Sequence, residues 1–154
     1  MKNSAQLQIF NTIGEAKVSY RTTGQPYAKV SSSIDVNGFL YTIWDHDTIE
    51  YTESFCVLSI NRANKIIAYR FVSTGGTAAV IVDPKTIFQF GLLTNANALI
   101  LAHNHPSGNL KPSHADLKIT KKLVSGGQFI DMPILDHLII TKEGYYSLAD
   151  EGQI

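Results

Sequence analysis

Apolar residues along the chain come in short blocks, and their spacing changes character from block to block. Residues 54–60 (Ser-Phe-Cys-Val-Leu-Ser-Ile) form a run that reads as a buried strand. Asn61, Arg62, Ala63 and Asn64 make a tight turn, and residues 65–73 return as the hairpin partner, closed by Gly75-Gly76. Residues 77–82 read as a third strand. Asp83-Pro84 then opens a helix, with Asp as cap and Pro at the first position, running to about Leu93. Residues 97–103 (Asn-Ala-Leu-Ile-Leu-Ala-His) do not alternate, which predicts a central strand covered on both faces. A loop at Pro106-Ser107-Gly108-Asn109 leads to a helix from Ser113 to about Ser125, ending at Gly126-Gly127. Residues 133–141 are a last core strand, and Glu143-Gly144 turns into Tyr-Tyr-Ser-Leu-Ala-Asp.

The first third is patterned less clearly. Residues 1–33 read as an arm or as a short strand at 16–20, followed by a loop with a break at Gly24-Gln25-Pro26. The serines at 31–33 supply an N-cap for a helix that sets Ile34, Phe39 or Leu40, Ile43 and Trp44 on one side. Residues 34–154 then form one domain. Strands lead and trail with helices between them, so the fold class is α/β with a mixed sheet.

Composition narrows the partners. The chain of 154 residues carries 13 basic and 13 acidic side chains, a formal net charge of zero. Strong nonspecific binding of a polyanion needs an excess of Lys and Arg, so this balance argues against it. A single cysteine, Cys56, excludes an internal disulfide framework and fits a reducing compartment. The N-terminal stretch has no signal-peptide core, and no apolar run reaches membrane-spanning length. A cytoplasmic protein without membrane contact is the expectation.

The chemistry is concentrated between residues 103 and 116. His103 and His105 are separated by one residue, and alternate residues of a strand share a face, so both imidazoles can converge on one ion while Asn104 points away. Pro106 cannot continue the ladder, so the strand ends where the ligands are presented. Asp116, in the first turn of the following helix, is placed to be a third ligand. Two imidazoles and one carboxylate suit Zn²⁺, with Fe²⁺ or Mn²⁺ as alternatives of similar donor preference. Three protein ligands leave one position open for catalysis. Ser113 and Asp116 also have an ordinary reading, because Ser-x-x-Asp at a helix start is a capping-box signature. The two readings are compatible. A hydrolase further needs a base to move the proton of a metal-activated water, and Glu50 and Glu53 are the upstream candidates.

The spacing His-x-His-x7-Ser-x2-Asp, inside Leu-Ile-Leu-Ala-His-Asn-His-Pro-Ser-Gly, resembles the pattern of the JAMM (MPN+) metallopeptidases, and within them the RadC-like branch. The resemblance covers roughly residues 50–152 and includes the stretches Val-Asp-Pro-Lys-Thr-Ile-Phe and Leu-Asp-His-Leu-Ile-Ile-Thr. It implies a curved sheet flanked by helices, of the JAB/MPN, cytidine-deaminase-like architecture, with its catalytic core in those residues. By the same resemblance His103, His105 and Asp116 hold Zn²⁺, Glu53 is the catalytic base, with Glu50 the fallback, and Ser113 stabilises the tetrahedral oxyanion. The implied activity is zinc-dependent hydrolysis of a peptide, isopeptide or other amide bond. The alternative is a RadC-type role linked to DNA repair or mobile elements, with a structural metal. Lys118, Lys121 and Lys122 share one helix face and would meet phosphate, although such a trio is more often solvated. The helix-hairpin-helix-like region of larger RadC proteins has no clear counterpart in residues 1–50. A zinc nucleobase deaminase needs Pro-Cys-x-x-Cys, which one cysteine excludes. His137 reads as a core histidine with a hydrogen-bond partner, with support of a metal site as its less common role. His114 follows no ligand pattern, and Cys56 reads as a buried small hydrophobe.

Overall fold

A computed structural model of the protein describes residues 17, 19–22, 24, 27–75 and 82–154. Within them the chain forms β1 (Ala28–Lys29), α1 (Ser33–Ile43), β2 (Ser54–Ile60), β3 (Lys65–Thr74), α2 (Pro84–Leu93), β4 (Ala98–Asn104), α3 (His114–Phe129), β5 (Ile134–Ile140) and β6 (Tyr145–Ser147). The strand expected at 77–82 lies outside the described residues except for Val82. The strand expected at 16–20 is not formed at Lys17, Ser19 or Tyr20, and among the described residues the first strand is Ala28–Lys29.

The six strands make one mixed sheet in the order β1-β3-β2-β4-β5-β6. Only the β4–β5 pair is parallel; the other four pairs are antiparallel. A parallel neighbour requires a crossover, and α3 supplies it between β4 and β5. No helix of the described residues is long and apolar enough to cross a membrane.

Side-chain parity on the central strands divides the interior into two cores. Cys56, Leu58 and Ile60 of β2 join Ala98, Ile100 and Ala102 of β4 beneath α1, with Val36, Leu40 and Trp44. The alternate residues Phe55, Val57, Leu99 and Leu101 pack with Ile87 and Phe90 of α2 and Leu123 of α3. All seven residues of β4 are buried, as its unbroken apolar run predicts. Each such leucine or isoleucine contributes about 1.5–3 kcal/mol through burial. Cys56 is fully enclosed in the first core, and burial pushes its thiol up to about 12.

Two expectations about helices need correction. On α1, Leu40 and Trp44 are buried and Phe39 and Ile43 pack at the margin, but Ile34 is 71% exposed. The Ser32–Asp35 capping box fixes where the helix begins, and the stripe that then meets the sheet is Val36, Leu40 and Trp44. Nor does α3 stop at Gly126-Gly127; it runs on to Phe129. Gly127 is needed for close approach, since a Cβ there would collide with the carbonyl oxygen of Met132. Just past the Ile130 cap the chain turns out of the helix instead at Asp131, whose φ of 52° lets the Met132 N–H reach the Gly127 carbonyl at 2.9 Å. Gly127→Ala is therefore expected to lower stability by about 1–3 kcal/mol in urea unfolding, as overpacking does.

Candidate metal centre

β4 delivers both histidines to the end of the sheet. His103 continues the parity of Leu99 and Leu101 and so faces α3, while Asn104 faces the α1 side. His105 lies one residue beyond the strand, held there because its N–H donates to the Ile140 carbonyl at 3.0 Å. The loop after it turns back at Gly108, whose φ is 77°, so that the Asn109 carbonyl lies 2.6 Å from His105 Nδ1. A carbonyl only accepts, so Nδ1 carries a proton, and in the neutral ring the lone pair of His105 sits on Nε2.

Asp116 comes to the same point from α3. The capping box seen in the sequence forms: Ser113 Oγ accepts from the Asp116 N–H at 3.1 Å, and Asp116 Oδ2 accepts from the Ser113 N–H at 2.6 Å. The box also aims the carboxylate, since Asp116 Oδ1 lies 3.3 Å from His103 Nε2 and Oδ2 lies 3.4 Å from His105 Nε2. Cap and cluster are thus one arrangement. Ligand atoms of His103, His105 and Asp116 all lie within 4.8 Å of one another, the one such group among the described residues.

The donor set fits a divalent cation. The two Nε2 atoms are 3.0 Å apart, and nitrogens at that distance require a proton between them or a cation beside them. Two Zn–N bonds of about 2.0–2.1 Å at the tetrahedral angle separate the nitrogens by roughly 3.3 Å, which a small rotation of either ring supplies. The protonation equilibria follow the same electrostatics. Burial opposes the charge on Asp116, but hydrogen bonding with His103, His105 and Ser113 holds its carboxyl well below the usual range. The hydrogen bond to Asp116 raises His105, helped by the negative charge of Glu53. His137 is fully enclosed, and burial pushes its pKa well down, with the neighbouring His103 acting in the same direction.

The other expected residues surround this cluster. Glu53, Ser113 and His105 line one open cleft of about 650 Å³, within the range of ligand sites. Glu53 is partly buried immediately before β2, and its carbonyl accepts from the Gly75 N–H at 2.9 Å. Glu50 also borders the cleft, but its carboxylate is tied to Lys142 Nζ at 2.6 Å. Among the described residues Glu53 has no such ion pair. His114 is exposed and outside the cluster, and Lys118, Lys121 and Lys122 are exposed on α3. His137 is a buried histidine as expected, yet its partner is a member of the cluster: its Nε2 lies 2.8 Å from His103 Nδ1.

One residue escaped the sequence reading. Asn104 is fully buried and pins the segment that carries Glu53: its Oδ1 accepts from the Ser54 N–H at 2.7 Å, and its Nδ2 donates to the carbonyls of Ile49 at 2.7 Å and Thr52 at 2.9 Å. The signal was a polar residue closing an otherwise apolar strand, where a buried amide must find partners.

A mixed sheet with α3 crossing from β4 to β5, and His-x-His and Asp gathered at the strand end, defines an α/β domain of the JAB type. The chain belongs to the RadC-like JAB domain family, whose model matches residues 30–153. It is 53% identical over 100 residues to a UPF0758 protein of Flavobacterium johnsoniae, a match covering 65% of this chain and 44% of that one. A UPF0758 protein of Methanosarcina mazei is 34% identical over 164 aligned positions, covering 99% of this chain and 70% of the relative. One of Salinibacter ruber is 43% identical over 102 residues, with 66% and 44% covered. The chain therefore spans less than half the length of two of these three relatives.

Removing the Asn104 amide leaves the part-buried Ser54 N–H and the carbonyls of Ile49 and Thr52 without that partner. Asn104→Ala should cost on the order of 3 kcal/mol in chemical unfolding, since each such group left bare costs about 1–3 kcal/mol. Whatever divalent metal the wild type takes up, read by elemental analysis, the variant should take up equally, because His103, His105 and Asp116 are untouched. His103→Ala should bind none.

Proposed function

We propose that the protein is a zinc-dependent hydrolase of amide bonds, acting on a peptide or isopeptide at the cleft beside His103, His105 and Asp116. The observation that carries this reading is the convergence of three lone-pair donors within 4.8 Å, one of which, His105, lines a cleft that also holds Glu53 and Ser113. Zinc held there would supply a Lewis acid and lower the pKa of its water to about 7. An amide still needs a base that takes a proton from the attacking water and returns it to the leaving nitrogen. Glu53 is the group for this, because it borders the cleft with His105 and is free of the lysine that occupies Glu50. Ser113 accepts a backbone proton through Oγ, which leaves its own O–H to donate to an oxyanion in the cleft. The lone, buried Cys56 suits a reducing compartment, and we place the protein in the cytoplasm.

The reading is checked with a quenched-fluorescence peptide library and a linked isopeptide substrate, with and without a chelator. Hydrolysis should require zinc. Glu53→Gln should lose turnover by at least 10²-fold while retaining stoichiometric metal. Ser113→Ala should lower kcat by about 10²–10³-fold, the usual effect of removing one oxyanion donor. Hydrolysis by Glu53→Gln at the wild-type rate contradicts the assignment.

A further inference from the structure

Behind the cluster a chain of hydrogen bonds runs through the protein interior and returns to one of its own members. His103 Nδ1 lies 2.8 Å from His137 Nε2, His137 Nδ1 lies 2.6 Å from Thr120 Oγ1, and Thr120 Oγ1 lies 2.6 Å from the backbone carbonyl of Asp116. His103, His137 and Thr120 are all buried, at 1%, 0% and 2% exposure, so no bulk water rearranges these protons.

The direction of every bond follows from the last one. The Asp116 carbonyl has no proton to give, so Thr120 donates its single hydroxyl proton there; two bare oxygens at 2.6 Å would repel. Thr120 Oγ1 then has only lone pairs left for His137, so His137 Nδ1 carries a proton and donates. A second proton on Nε2 would make His137 a buried cation facing a hydroxyl and another imidazole, with no carboxylate on either ring nitrogen. A charge so placed is costly. Nε2 of His137 is therefore bare and accepts from His103 Nδ1–H. The proton of a neutral His103 is thus committed at Nδ1, and its lone pair lies on Nε2, the atom 3.3 Å from Asp116 and 3.0 Å from His105 Nε2.

We propose that Thr120 and His137 are positioning residues that lock His103 in the tautomer able to bind a metal, using the main chain of Asp116 as the fixed reference. A neutral histidine can place its proton on either ring nitrogen, and only one choice leaves Nε2 free. The relay joins three elements: α3 supplies Asp116 and Thr120 one turn apart, β5 supplies His137, and β4 supplies His103. Phe55 holds the His103 ring from its face, stacked at 5.9 Å with 7° between the planes, so the ring is fixed in plane and in protonation together. The proposal rests on the metal reading of the site but makes its first claim about the metal-free protein.

Long-range ¹H–¹⁵N spectra of the histidine side chains in metal-free protein test it before any variant is made. His103 and His137 should both appear as Nδ1–H tautomers, and His103 appearing as Nε2–H overturns the proposal. Thr120→Val keeps the shape and removes the hydroxyl, while Thr120→Ser keeps the hydroxyl. The valine variant should lose the single tautomer at His103 and bind zinc about 10–100-fold more weakly in chelator competition, the usual cost of losing a partner behind a ligand. The serine variant should stay within about threefold of wild type. A valine variant with the wild-type tautomer and affinity overturns the proposal. Wild-type protein in which His103 and His137 are each Nδ1–H but which binds no zinc defeats the metal reading and leaves the hydrogen-bond assignment supported.

Discussion

The meeting of Asp116 with His103 and His105 is the constraint on which the rest of the structure turns. Two imidazole nitrogens and a carboxylate are brought within hydrogen-bonding distance with their lone pairs facing inward. Without a positive charge among them such groups repel, and either a shared proton or a divalent cation answers that repulsion. Each of the three side chains is held against this repulsion from behind. The Asn109 carbonyl holds His105, the capping box holds Asp116, and His137 with Thr120 holds His103. Cleft and candidate base are arranged around a point already fixed.

That arrangement depends on how the strands are registered. Parity along β4 sends His103 toward α3 and Asn104 toward the opposite face, so neighbouring residues serve two ends of one site. His103 takes part in the cluster, and Asn104 fixes the segment bearing Glu53. On β5 strict alternation would have separated Ile134 from His137. A register irregularity sets Leu99 opposite Ile134 but Ile100 opposite Asp136, which leaves Leu135 out of the pairing and 42% exposed. Ile134 and His137 consequently lie on one face, Ile134 packing in the α2–α3 core and His137 bonding Thr120.

These details explain what could and could not be read in advance. The strands at 54–60, 65–74, 98–104 and 134–140 were legible because runs of apolar residues bounded by turn residues have few other uses. The cluster was legible because His-x-His at a strand end and Ser-x-x-Asp at a helix start are local patterns, and the structure joins them. What escaped depends on long-range contacts. Gly126-Gly127 looks like a helix stop until Phe88 and Met132 are found packed against it. His137 looks like a core residue until the irregularity in β5 turns it toward His103. Asn104 looks like a spacer between two histidines until the 49–54 segment is seen to bond its amide. Such roles follow from what a residue touches in the fold, and short sequence windows carry little of that.

The proposed function depends most on a metal site at His103, His105 and Asp116 with a position open toward the cleft. Crystals of the zinc-loaded protein, measured on both sides of the zinc absorption edge, address it directly. One strong anomalous peak is expected, bounded by Nε2 of His103, Nε2 of His105 and the Asp116 carboxylate, with its remaining coordination open to the side where Glu53 and Ser113 lie. A peak elsewhere, or one closed by a fourth protein ligand, would contradict it.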